Sequence, residues 1–287
     1  MPSLHQDFYY PQTKAEALAL LSEGKERMMP LAGGTAVTLM QRRKEVALVD
    51  LWNIGLNTIQ EQNGSLAVGA MMTVTELMRH ESIQSYAQGA LVQACRHLAS
   101  TSLRNLITIG GNIIQIFNWS DLPPLFLALE AEVELQSQGG SRRTPIETFL
   151  SPHPRKNLKP DELLVNVILP PTAQNRYAQF TKFCQNQVNF SLATVATNFR
   201  VKDGVIQEAR IAAGAVRGRP FRLNELEEML VDKSLDKATL EAAETMARQV
   251  VKPTRTFRAS VEYRQNLFAI IVRRHLEAAQ SHFSLKG

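Results

Sequence analysis

"TIGGNIIQ", Thr108 to Gln115, poses the question that organises the chain. Ile107, Ile109, Ile113 and Ile114 read as a buried strand, yet glycine weakens a strand unless a bulge, a turn or a close backbone approach requires it. Gly110-Gly111 therefore implies that something comes near this main chain. A second pair, Gly33-Gly34, lies in "PLAGGTAV", Pro30 to Val37. Glycine takes positive φ at little cost where other L-residues lose about 1–2 kcal/mol, and its missing side chain lets consecutive N–H groups point into one concavity suited to phosphate. Thr35 falls at an expected helix start, where unsatisfied N–H groups and the helix dipole favour an anion. Either pair alone reads more readily as an ordinary turn. Two pairs, each bounded by a strand pattern and a threonine, suit a pyrophosphate gripped from both sides.

Outward from these pairs the chain divides into three parts. Residues 1–60 hold a capping box, Thr13-Lys14-Ala15-Glu16, an apolar helical face through Leu18 and Leu21, the first glycine pair and the strand "VALVDL", a βαβ-like unit. Residues 61–171 begin at the turn Asn63-Gly64 and contain the strand "SLAVGA", a second capping box at Thr73–Glu76, the helical "ALVQACRHLA", the second glycine pair, the apolar run "LFLALEA" and the strands "AEVELQS" and "ELLVNVILP". Residues 172–287 open with the strand-like "AQFTKF", "SLATVATNFRV" and "VIQEARIAAGAV", followed by two amphipathic helices, which reads as a small α+β domain.

The totals narrow the function. The 287 residues, 44% hydrophobic and 21% charged, allow two or three domains with a real core. No apolar run of about 18 residues occurs, and "MPSLHQDFYYPQ" lacks the flank and apolar stretch of a secretory signal, so no membrane span and a cytoplasmic location are expected. Cys95 and Cys184 stand far apart, too few for a disulfide framework or an iron–sulfur cluster. The net charge of +5 favours anionic ligands or partners, but the basic groups Gln41-Arg42-Arg43-Lys44 and Arg273-Arg274 read as solvated faces rather than a nucleic-acid surface. Phosphate loops, Rossmann fingerprints and nucleophile elbows are absent, and the H-E-x-x-H pattern begun by His80-Glu81 ends at Gln84. The six histidines form no cluster, so no metal site and no catalytic acid, base or nucleophile is assigned. Asp121 reads either as a helix N-cap before Pro123-Pro124 or as an acceptor for a ligand hydroxyl or ring N–H.

"PLAGGTAV", "LRNLITIGGNII", "SDLPPLFLALEAEVEL", "DELLVNVILP", "ARIAAGAVRGRP" and "SVEYRQNL" follow one another in an order that resembles the FAD-binding (medium) subunit of the xanthine dehydrogenase and carbon monoxide dehydrogenase family of molybdenum hydroxylases, over nearly the whole chain. The resemblance implies an α+β fold of the p-cresol methylhydroxylase type, with two α/β subdomains enclosing FAD and a C-terminal α+β domain. By motif matching, Pro30, Leu31, Ala32, Gly33, Gly34, Thr35, Ala36 and Val37, with Thr108, Ile109, Gly110, Gly111 and Asn112, would cradle the pyrophosphate of a non-covalent FAD. Ile114 would pack near the flavin and Asp121 would hydrogen-bond it. Leu164 matches a residue packing on the cofactor and Lys182 a lysine near it; their plainer readings are a core strand residue and an exposed strand charge. In such complexes a molybdenum-binding subunit hydroxylates the substrate and a subunit with two 2Fe-2S clusters carries electrons. The FAD subunit then passes them to NAD or another acceptor, so the molybdenum cofactor and clusters belong to partner subunits. The chain departs from relatives at Ala36, at Ile107 and in "QIFNWS", where small residues are common and where Phe117 and Trp119 would screen the flavin ring or fill the acceptor site. A scaffold subunit with a decayed flavin site and a free-standing flavin reductase are the alternative readings.

Overall fold

Thr13 caps the first helix, Lys14–Gly24, by accepting the Glu16 N–H at 3.2 Å, and the Glu16 carboxylate takes the Gln12 N–H at 2.8 Å. The box therefore closes one residue further back than the simple reciprocal pattern. The computed structural model describes residues 7–24, 27–37, 46–171, 176–186 and 188–284. The basic run Gln41–Lys44 and the helix expected after Thr35 lie outside the described residues. Two units, each discontinuous in sequence, account for the chain. Unit 1 comprises Met1–Leu77, Ser100–Ile116 and Glu132–Leu169; unit 2 comprises Met78–Ala99, Phe117–Ala131 and Pro170–Gly287.

In unit 1 the first helix connects strands β1 (Phe8–Tyr9) and β2 (Met28–Leu31), and both pair in parallel with the central β3 (Ala47–Asp50). Its buried Ala17, Leu18 and Leu21 pack with Val49, Leu51 and Met71, as the 3.6-residue spacing predicts. A second sheet of five antiparallel strands follows: β4 (Ile59–Gln62), β5 (Ser65–Gly69), β6 (Glu132–Ser137), β7 (Gly140–Pro145) and β8 (Leu163–Leu169), in the order β4-β5-β8-β6-β7. Asn63 and Gly64, both at positive φ, turn β4 into β5. The second capping box is fully reciprocal, with Thr73 N–H donating to Glu76 Oε2 at 2.7 Å and Glu76 N–H to Thr73 Oγ1 at 3.2 Å. Leu163 and Val165 join the core of the first helix, so strand alternation turns the buried Leu164 to the other face of β8.

Unit 2 is built on four antiparallel strands, β9 (Tyr177–Phe183), β10 (Ala193–Lys202), β11 (Val205–Gly214) and β12 (Phe221–Arg222), ordered β12-β11-β10-β9. Val195 and Phe199 of β10, with Ala209 and Ile211 of β11, face a core shared with helices Asn224–Leu230, Lys237–Val250 and Val261–Ser284. The helix Asn224–Leu230 had no counterpart in the sequence reading. On the opposite face Asn198 donates to the Ala128 carbonyl at 3.2 Å, which places helix Leu122–Ala128 there. Arg273 is bound to Glu244 and Glu277, each at 2.9 Å, rather than simply solvated. Among the described residues no helix is long and apolar enough to cross a membrane, and no group of His, Cys, Asp or Glu is arranged to hold a metal ion.

Candidate functional site

The two glycine pairs meet within unit 1. At the end of β2 the main chain passes so close to Leu106 that a Cβ on Gly33 would lie 1.6 Å from the Leu106 carbonyl oxygen, a contact relieved only by moving backbone. Gly34 turns the chain at φ +71°, where a side chain is strained. From the other side, a Cβ on Gly111 would sit 2.8 Å from Thr108 Oγ1 and 3.9 Å from the Ala32 Cβ. The loops are thus in van der Waals reach of each other.

"TIGGNII" is not a strand. Thr108 caps a six-residue helix, Ile109–Ile114, accepting the Gly111 N–H at 3.1 Å. Tertiary contacts override the β-branched pattern: Ile109 N–H donates to the Met72 carbonyl at 2.9 Å and Gly110 N–H to the Ala70 carbonyl at 2.8 Å. Asn112 N–H returns to the Thr108 carbonyl at 2.9 Å. The amides from Ile109 to Asn112 are committed to protein acceptors, so this loop does not offer the row of outward N–H groups that the glycine pair suggested. Nor do Gly110 and Gly111 use positive φ, which among the four glycines belongs to Gly34 alone. They are needed because side chains there would strike Ala70 and Thr108. What remains is a side-chain-free surface and the buried Asn112 Oδ1, which has no hydrogen-bond partner among the described residues.

Unit 2 carries a second polar feature. Lys182 Nζ donates to Asp121 Oδ2 at 2.8 Å and to the His97 carbonyl at 3.0 Å, with the two charged side chains 3% and 6% exposed. Lys182 is therefore no exposed strand charge. Asp121 precedes helix Leu122–Ala128 but makes no capping bond, because its carboxylate is turned to Lys182. Burial raises this carboxyl from 3.8 to about 6 against the pull of the ammonium. Its second oxygen, Oδ1, is buried without a partner among the described residues, as is Asn118 Oδ1 nearby in sequence.

The family described as FAD binding domain in molybdopterin dehydrogenase matches residues 4–172, and the CO dehydrogenase flavoprotein C-terminal domain matches residues 178–279. The chain belongs to the FAD-binding subunits of the molybdopterin dehydrogenases. Its relatives include the carbon monoxide dehydrogenase medium chain of Afipia carboxidovorans, 30% identical over 96% of each chain. The xanthine dehydrogenase FAD-binding subunit of Escherichia coli is 29% identical over 95% of each. Among solved structures, carbon monoxide dehydrogenase from Hydrogenophaga pseudoflava superposes with a TM-score of 0.89 at 26% identity, covering 96% of this chain and 97% of that one.

The residues of this FAD-binding subunit fit such a cofactor in two respects. In unit 1 Gly33 and Gly111 leave bare a surface that a single Cβ at either position would disturb, and Asn112 holds a buried oxygen lacking a partner among the described residues; in unit 2, taken by itself, Asp121 holds another. Pro30 and Leu31 end β2 in register with Val49 and Asp50, which aims the chain into the Ala32–Val37 turn. Ile114 closes the Thr108 helix, half-buried. Three groups escaped the sequence reading: the carbonyls of Ala70 and Leu106, which confine the glycines, and the Phe190 ring, tilted against Trp119. Every residue carries a carbonyl, and Phe190 is distant in sequence, so no local signal marked them.

Proposed function

We propose that the chain is the electron-transfer subunit of a molybdenum hydroxylase complex, holding non-covalent FAD between an iron–sulfur subunit and NAD or another final acceptor, in the cytoplasm. The observation that carries this reading is the convergence of the Gly33-Gly34 turn and the Gly111 face within one family-matched unit. Pro30–Val37 and Thr108–Asn112 would hold the pyrophosphate, with the Thr35 hydroxyl and the Asn112 side-chain NH2 as donors. Ile114 and Leu164 would pack on the cofactor, and Asp121 and Lys182 would hydrogen-bond it. Bound FAD supplies the redox chemistry, while these residues supply position and charge. Residues 1–60 and 61–171 would form the chain's two FAD-binding subdomains, and residues 172–287 its C-terminal α+β domain.

FAD added to the purified full-length chain is expected to bind tightly, read as quenched or shifted flavin fluorescence and a retained flavin spectrum. Gly111→Val, whose side chain would press on Thr108 and Ala32, should weaken binding by at least about tenfold, one good hydrogen bond's worth. A well-folded wild-type chain that takes up no FAD would leave the scaffold reading in its place.

A further inference from the structure

Trp119 contacts two other rings. Its indole is stacked on Phe117 with centroids 4.9 Å apart and planes at 5°, and the Phe190 ring is tilted against it at 4.4 Å and 31°. Phe117 and Trp119 belong to a tight turn, closed by Phe117 N–H to Ser120 Oγ at 2.9 Å and Ser120 N–H to the Phe117 carbonyl at 3.0 Å. That turn leads directly to Asp121. Phe190 belongs to the loop that follows β9, the strand of Lys182, and Arg258 donates to its carbonyl at 3.2 Å. The same two segments are thus joined twice, by the Lys182–Asp121 ion pair and by the ring stack.

The two links do different things. A buried ion pair roughly breaks even, because desolvating both charges offsets their attraction, so it does not by itself hold two loops together. Stacked aromatic pairs are favourable beyond the area they bury. Because Trp119 already holds one ring stacked at 4.9 Å and a second tilted against it at 4.4 Å, the cluster serves as a fastening rather than an open slot for another ring. We infer that Trp119 is a positioning residue: clamped by Phe117 and Phe190, it fixes the Asp121 carboxylate so that its unpartnered Oδ1 is presented to the flavin. This rests on the FAD reading above.

The test is a double-mutant cycle read by FAD dissociation constants of the full-length chain, with the midpoint potential of bound FAD as a second readout. Trp119→Leu should weaken FAD about tenfold and Trp119→Phe, which keeps a flat ring, no more than about twofold. In the Asp121→Asn background Trp119→Leu should add no more than about twofold, because the group it positions is already gone. Phe190→Leu, at a residue 54% exposed, opens the stack from the surface and should reproduce the pattern if Trp119→Leu folds poorly. Equal losses in both backgrounds, or no loss in either, overturn the inference. A wild-type chain that binds no FAD fails the underlying reading instead, and the two failures are told apart by that first titration.

Discussion

Lys182 and Asp121 show how much one side chain's surroundings alter its meaning. Burial leaves the ammonium with the carboxylate and one carbonyl as acceptors, so Lys182→Met leaves the Asp121 carboxyl buried with no counter-charge, to stay ionised or take up a proton at a cost. Unfolding in urea should register a loss of about 3–5 kcal/mol, and Lys182→Met with Asp121→Leu should recover most of it, since replacing both partners by apolar groups is close to neutral. A loss below about 1 kcal/mol for the single variant would mean that water reaches the pair, as at exposed salt bridges. In the sequence, Asp before Leu-Pro-Pro looks like a cap; the competing partner lies on a strand far along the chain.

Among elements, the helix Ile109–Ile114 is too short to persist by its own hydrogen bonds. It exists because Thr108 caps it and because Ala70 and Met72 take its first amides. Thr108→Ala should cost about 1–2 kcal/mol by denaturant unfolding, and Thr108→Ser, which keeps the hydroxyl, much less. Equal costs for the two variants would assign the effect to the lost methyl rather than to the cap. Both capping boxes were legible because their partners lie three or four residues apart. The glycine pairs were legible as places of close approach, but the helix was read as a strand: isoleucine favours strands, and the carbonyls that decide otherwise arrive from another segment.

For the whole molecule, acid stability has a named component. His275 is fully enclosed between Thr181 Oγ1 at 2.8 Å and Thr197 Oγ1 at 3.0 Å, and burial lowers its pKa from 6.5 to about 3. Between those values the unfolded chain binds a proton that the folded chain refuses, so His275 costs stability as the pH falls below 6.5, by about 1.4 kcal/mol per unit. Asp121, raised to about 6, acts in the opposite sense from there down to 3.8, so the comparison must be with His275→Gln. The stability difference between wild type and variant should shrink or reverse as the pH is lowered from 7 to 5. A constant difference would mean that the site admits water. From its residues alone this chain determined its caps, most of its strands, its side-chain-free turns and its family, because those depend on neighbours a few positions away or on motifs in a set order. Tertiary structure alone decided the helix at Thr108, the burial of Lys182 and the clamping of Trp119. Each depends on which distant group fills the space beside it, and that is settled only when the chain packs.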